Sequence, residues 1–424
     1  MTEEQRENDA RLDRFLSFVS EPLRNKIQRA TFARYAVGLL SDAERKSMEP
    51  LAARSRPDAT DAEHKAFCYF VGQAAWDDRA VRRRAAFWAL MGATAHSPVR
   101  ATIVDDTGML KQGTHSVGVA RQYTGSAGKV TNCQIAVTLA LSTDHDVVGL
   151  DAALYLPESW ATDAARREDA RIPVDVKFCT KGQIALAMLQ AAHADGVPLG
   201  EVLLGDADYG RCSALREWSD GIGLPYALGV HSDQHVWDVS GVWTRPMTVA
   251  QYAAQLTPRN FRRIAWREGS DGKRLSARFA FLRVYVTKEG REPTRGRDRS
   301  QWLVIEWRDG EDGPKHFHLS TLPRTMKRKK LVRRLKERWR IEKVHQELKG
   351  EVGFDHFEGR SWPGWQHHVS LALSCHALLT AERCVAFPPS APRGHSAGAN
   401  RTKASTPRRA LGPQPSTSPR TSSR

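Results

Sequence analysis

Asp105 and Asp206 each follow a short run with strand character, residues 101–104 and 201–204, so a buried strand would deliver each carboxylate to the rim of a sheet. The carboxyl ends of strands are where open α/β sheets place ligands. Two carboxylates brought together repel each other unless a divalent cation neutralises them, and hard oxygen donors favour magnesium or manganese. Taken singly, each aspartate also reads as a turn residue capping the next segment. The occurrence of two such residues weighs toward the cation reading, although Asp106 and Asp208 stand beside them.

A third carboxylate lies on a strongly helical stretch, residues 326–349. At helical spacing Arg338, Glu342, His345 and Lys349 fall within a stripe of roughly 60°, apart from the apolar stripe of Ile341, Val344 and Leu348. Glu342 can therefore ligate a metal while Arg338 and Lys349 hold phosphate oxygens. The alternative is an exposed Arg–Glu pair at i,i+4, which contributes little. Lys330 and Arg334 belong to a basic run just ahead of Glu342, read as the wall of a DNA channel or as a solvated helix face. Trp302 is a candidate for stacking on an unpaired base, with ordinary sheet packing as the alternative. His367 and His368 have no third ligand at zinc spacing.

The elements that must position these residues follow from composition. Residues 1–98 read as short helices, a helical N-terminal domain and candidate binder of DNA ends. From residue 99 the order is β-β-β-α-β-α-β, and after an interruption a further α, which is the pattern of an α/β fold with a mixed sheet. That core is expected over residues 99–230 and 323–383, split by a β-rich insertion at 231–322. Residues 384–424 form a basic, Pro/Ser-rich tail with too little apolar material to fold.

The chain carries 64 Lys+Arg against 48 Asp+Glu, a net charge of +16, which points to a polyanionic partner. Nucleic acid is favoured over a membrane surface, because the longest apolar runs, 133–141 and 369–379, fall far short of the ~18 residues a span requires. No secretory signal is recognisable, and six scattered cysteines fit reduced thiols, so a cytoplasmic protein is expected. Eight basic residues lie from Arg383 onward with no acid among them, so half of the charge surplus sits in or beside the tail.

Three stretches together resemble the Asp-Asp-Glu transposases of bacterial insertion sequences, specifically the 701-type members of the insertion sequence 4 superfamily. They are Val104-Asp105-Asp106-Thr107-Gly108 with Lys111, Gly113 and His115; Gly205-Asp206-Ala207-Asp208-Tyr209-Gly210; and Arg338 through Glu342 and Lys349 to Arg360. The superfamily's Tyr-x2-Arg-x3-Glu-x6-Lys motif is met at Arg338, Glu342 and Lys349, with Leu335 at the Tyr position. The resemblance implies an RNase H-like core in which Asp105, Asp206 and Glu342 bind two Mg2+ or Mn2+ ions, and it prefers Asp105 over Asp106 and Asp206 over Asp208. It further implies cleavage at terminal inverted repeats and joining of the freed 3′-OH ends to target double-stranded DNA, by a homodimer on paired ends, on nucleoid DNA. A hairpin intermediate rests on the resemblance alone. The alternatives are a decayed or repurposed transposase that only binds DNA, and a nuclease without strand transfer.

Overall fold

Runs rich in β-branched residues begin at Ala101, and there the backbone changes from helix to sheet. The computed structural model describes residues 2–239, 245–269, 272–286 and 300–387. Five helices come first: α1 (Glu3–Val19), α2 (Lys26–Leu40), α3 (Met48–Ser55), α4 (Thr60–Gly72) and α5 (Asp78–Thr94). Four strands follow, β1 (Ala101–Leu110), β2 (Ala120–Thr124), β3 (Lys129–Ser142) and β4 (Val147–Tyr155). Helices α6 (Glu158–Ala161), α7 (Ala164–Asp169) and α8 (Lys181–Ala194) lead to β5 (Leu203–Gly205), α9 (Ala207–Gly210), α10 (Ser213–Gly221) and β6 (Tyr226–Val230). Beyond residue 231 come β7 (His235–Asp238), β8 (Met247–Thr248), α11 (Val249–Ala254), β9 (Arg262–Glu268), β10 (Arg274–Val286), β11 (Gln301–Trp307) and β12 (His316–Ser320). The described chain closes with α12 (Arg328–Lys336), α13 (Arg340–Gly350) and α14 (Trp362–Ala386).

The expected α/β fold with a mixed sheet is present. One sheet runs β2-β3-β1-β5-β6-β12-β11-β10-β7-β8, with β4 on β3 and β9 on β10. β1, β5 and β6 are parallel; β3 is antiparallel to β1, and β4 is antiparallel to β3. The β-rich segment continues this same sheet, because β12 pairs antiparallel with β6.

β1 is longer than its sequence suggests. It was expected to end before Asp105, yet it continues to Leu110, because β3 pairs with it along its whole length while β5 accompanies only its first part. Asp105 therefore lies within β1, near the point where the parallel neighbour stops. The expected single helix over 326–349 is broken by a 3-10 turn at Glu337–Trp339. Anchors hold both sides of that break: Lys336 is bonded to Glu306, and the Arg340 guanidinium donates to the Thr143 carbonyl.

The N-terminal helices pack around α14, with α5 and α14 both covering β4. Trp76 stacks on His367 at 3.9 Å, and Tyr35 is hydrogen-bonded to His368 at 3.1 Å, so the histidine pair is core material. At 25 residues α14 has the length and apolarity of a membrane span, which the run-length reading missed, and 72% of its most apolar window is buried inside the fold. Buried Ser370, Ser374, His376 and Thr380 on the same helix are the signature of a core helix with polar partners. The described residues lie in one compact unit, Met1–Pro389; the tail from residue 388 onward lies outside the described residues.

Candidate active site

β1 and β5 set the two aspartates side by side. Ile103 is registered against Leu204, and two residues further along each chain stand Asp105 and Asp206. Adjacent strands lie roughly 4.8 Å apart, so both carboxylates reach the same rim. Asp206 is fixed by its own loop: its Oδ1 accepts from the backbone N–H groups of Asp208 (3.0 Å) and Tyr209 (3.4 Å), capping the short α9. That turn is pressed onto β6 so closely that a Cβ at Gly210 would meet the Gly229 oxygen at 1.7 Å. Glycine is required there, and it holds the Asp206 turn against the sheet.

Asp105 is almost fully buried. Its Oδ1 accepts from the Asp106 N–H at 3.0 Å, and its Oδ2 receives Arg338 Nη1 at 2.5 Å. Burial pushes its carboxyl up to about 7; Arg338 works against that, and the charges of Asp206 and Asp106 add to it. Asp206 is likewise raised, by burial first and Asp208 next. Both carboxyls resist ionisation because negative charge is crowded into a poorly solvated place.

Glu342 enters from the first turn of α13. Its side chain is exposed, and Arg338 Nη2 lies 3.7 Å from its Oε1, so one guanidinium spans Asp105 and Glu342. Among the described residues no three His, Cys, Asp or Glu side chains are gathered closely enough to hold a metal ion, and Arg338 is the group between the first and third carboxylates. Below it on α13, the His345 ring N–H donates to Thr138 Oγ1 at 2.7 Å, and that hydroxyl donates to the Asp105 carbonyl at 3.1 Å. Burial drives His345 down to about 3, helped by Lys349 and Arg338, so the ring is neutral. Lys349 donates to the Gly108 carbonyl (2.7 Å) and to Ser126 Oγ (2.8 Å), which ties α13 to β1 just past Asp105.

The neighbouring aspartates have partners of their own. Asp106 pairs with Lys181 at 2.7 Å, and Asp208 with His231 at 3.1 Å. Neither basic residue was singled out from the sequence. The only signal for Lys181 was its place as the first residue of α8, behind the Thr180–Gln183 capping box that the spacing did reveal.

Of the expected DNA contacts, Lys330 is exposed on α12. Arg334 is not free: its guanidinium is held by Glu201 and Glu337, each at 2.9 Å, because α12 packs this side inward. Trp302 is half-buried, with Arg283 over its ring at 4.9 Å and the edge of Phe281 against it at 6.4 Å. Its face is taken by β10 neighbours, which is the sheet-packing alternative.

Asp105 and Asp206 are two hard carboxylate donors raised by burial and by neighbouring negative charge, a repulsion that a divalent cation drawn in between them would relieve.

These features agree with what similarity to known proteins gives. The chain belongs to the DDE superfamily endonucleases, whose family model matches residues 19–273, and the transposase DDE domain model matches residues 179–378. Asp105 falls in the first match, Glu342 in the second and Asp206 in both. Among individual proteins, the chain is similar to a probable transposase for insertion sequence element IS701 from Microchaete diplosiphon, 27% identical over 207 residues. That match covers 47% of this chain and 48% of the relative, so the chain spans about half the length of the curated relative it matches.

Proposed function

We propose that this protein is a transposase that cleaves DNA at the ends of its insertion sequence and joins the freed 3′-OH ends to target DNA, with Asp105, Asp206 and Glu342 as the metal-binding carboxylates. The observation that carries the reading is the placement of Asp105 and Asp206 each two residues past the registered pair Ile103–Leu204 of the parallel neighbours β1 and β5, with Glu342 joined to Asp105 through Arg338. The strand order β4-β3-β1-β5-β6, in which β3 alone runs against the other four, supports an RNase H-like core formed by residues 99–230 and 323–383 and interrupted by 231–322.

Asp105, Asp206 and Glu342 would hold two Mg2+ or Mn2+ ions, which would supply activation of a water or 3′-OH nucleophile and stabilisation of the leaving oxygen. The protein's own part is positional. His345 and Thr138 fix the backbone at Asp105, and Lys349 locks α13 against β1. Arg338 releases Asp105 and takes a DNA phosphate oxygen, a charge-assisted contact suited to its planar fork. Lys330 lines the approach. Terminal inverted repeats are the DNA recognised, in the cytoplasm on nucleoid DNA, and a homodimer holds two ends in symmetric register.

The test is purified protein with magnesium, a labelled transposon-end duplex and a target plasmid. Joined products that vanish in Asp105→Asn, Asp206→Asn and Glu342→Gln support the reading. Cleavage without joining leaves a nuclease, and binding without any cleavage leaves a DNA-binding relic.

A further inference from the structure

We infer that the face of the N-terminal helices centred on Phe87 and Met91 of α5 is where a second copy of this chain docks. The inference gives the proposed homodimer its interface, and it rests on the transposase reading only for the purpose the dimer serves.

At helical spacing Arg79, Arg83, Phe87 and Met91 form a single stripe along α5. All four are exposed, Phe87 at 54% and Met91 at 60%, whereas Val81, Ala85, Ala89 and Ala93 on the other side of the helix are buried. Two large apolar side chains one turn apart at the surface mark an interaction site. Beside them opens a cavity of about 770 Å3 whose walls include Phe18, Leu90, Leu150, Met188 and Val197. Phe87 and Met91 of the second copy fill it.

Charge sets the orientation. Arg79 and Arg83 share the single carboxylate of Asp195, at 3.2 and 2.8 Å, which leaves one positive charge over. α1 runs antiparallel to α5: Phe18 near its end lies against Phe87, and Arg11 is bonded to Glu382 of α14, whose neighbour Ala381 packs on Gly92 at the far end of α5. The first turns of α1 therefore lie beyond the Met91 end of the stripe and carry exposed Glu3, Glu4 and Glu7. Glu7 is 3.4 Å from Arg11, which Glu382 holds more closely at 2.9 Å, so this end keeps a negative surplus.

Arginines thus stand at one end of the apolar pair and acids at the other. At the helical rise of ~1.5 Å per residue, Arg79 is about 15 Å from the midpoint of Phe87 and Met91 in one direction, and Glu7 is about 14 Å from it in the other. A two-fold axis through that midpoint lays α5 antiparallel on its copy. Phe87 then meets Met91, and the arginines of each chain meet the α1 acids of the other, the reciprocity an isologous contact requires.

Two other occupants fit less well. DNA would take the arginines and leave the apolar half of the stripe uncovered. Residues 388–424 of this chain carry seven Lys and Arg and no acid, so they meet Arg79 and Arg83 with like charge.

The experiment is sedimentation equilibrium of the full chain without DNA, with circular dichroism to show that each variant keeps its helices. Wild type is expected to be a dimer at micromolar concentration. Phe87→Ser/Met91→Ser is expected to raise the dissociation constant about 100-fold or more. Arg79→Glu/Arg83→Glu and Glu3→Lys/Glu7→Lys are each expected to raise it roughly tenfold at low salt, and the four changes together to return it to within about threefold of wild type. A dimer indifferent to Phe87→Ser/Met91→Ser, or a charge swap that associates no better than either reversal alone, overturns the inference. Monomeric wild type overturns it too, and if removing residues 388–424 then yields a dimer, the tail is the occupant. The transposase reading fails separately, by end cleavage that survives Asp105→Asn.

Discussion

Two buried carboxylates in one sheet meet opposite fates. Glu306 on β11 is fully buried, and Lys336 from α12 reaches both its oxygens at 2.6 Å, with Arg308 at 3.2 Å and His318 at 3.6 Å. Burial alone would raise it, but His318 and Lys336 outweigh that and hold it well below the usual carboxylate range. Asp105 on β1 is almost as buried, has Arg338 as its ion-pair partner, and is pushed up to about 7 with Asp206 and Asp106 close by. The sheet thus holds one carboxylate whose charge is fully compensated and another whose charge is not. The first pins α12 to the β-rich segment; the second keeps uncompensated negative charge around it, as the proposed role of cation ligand requires.

Variants on the two sides break the comparison differently. Asp105→Asn is expected to lower end cleavage by about 10³-fold or more while keeping the fold, since it removes a ligand and relieves repulsion; rate assays and melting curves check both. Glu306→Gln is expected to destabilise by about 3–5 kcal/mol, because Lys336 is left as an uncompensated buried charge. Urea unfolding measures that loss, and activity should fall only with the folded fraction.

The pH dependence separates the two more finely. Asp105 has a folded pKa near 7 and an unfolded value near 3.9, so the native state binds the extra proton between them. Its contribution to stability is therefore fully present below about pH 4 and is lost as pH rises toward 7, in divalent-free buffer. Glu306, depressed in the native state, contributes stability above its unfolded pKa of about 4.3 that is lost as pH falls. Urea midpoints across this range should show a falling component abolished by Asp105→Asn and an acid-side loss abolished by Glu306→Gln.

The smallest effects concern α12. Lys330→Ala should reduce the salt-dependence slope of DNA binding by about one unit, as for one lost phosphate contact. Arg334→Ala should leave that slope unchanged and lower the melting temperature instead, given its pairs with Glu201 and Glu337. Binding titrations at several salt concentrations distinguish the two.

Local pattern was enough to reveal the alternation of strands and helices, the strand-borne Asp105 and Asp206, and the α13 stripe of Glu342, His345 and Lys349. Each is set by residues close in sequence. What escaped is set by tertiary approach. Lys181 meets Asp106 from 75 residues away, and nothing around Thr180 says which way its ammonium points. The break at Glu337–Trp339 lies between anchors on Glu306 and Thr143, both distant in sequence, so helix propensity across it gave no warning. Arg334 looked like part of an exposed basic run because its acidic partner Glu201 is 133 residues distant. β2, β7, β8 and β12 are short, and their identity as strands depends on partners already in the sheet.

The central claim, that the carboxylates at β1 and β5 form an undercompensated cation site, is tested most directly by thermal unfolding at about pH 7.5 with and without millimolar Mn2+, for wild type and Asp105→Asn. A cation that binds only the native state raises stability by RT ln(1 + [L]/Kd), about 2.7 kcal/mol at a hundredfold excess over Kd. The account predicts a clear Mn2+-dependent rise in wild type, and in Asp105→Asn a higher melting temperature without metal together with little or no further rise. Equal Mn2+ responses in the two proteins, or none in wild type, would contradict it.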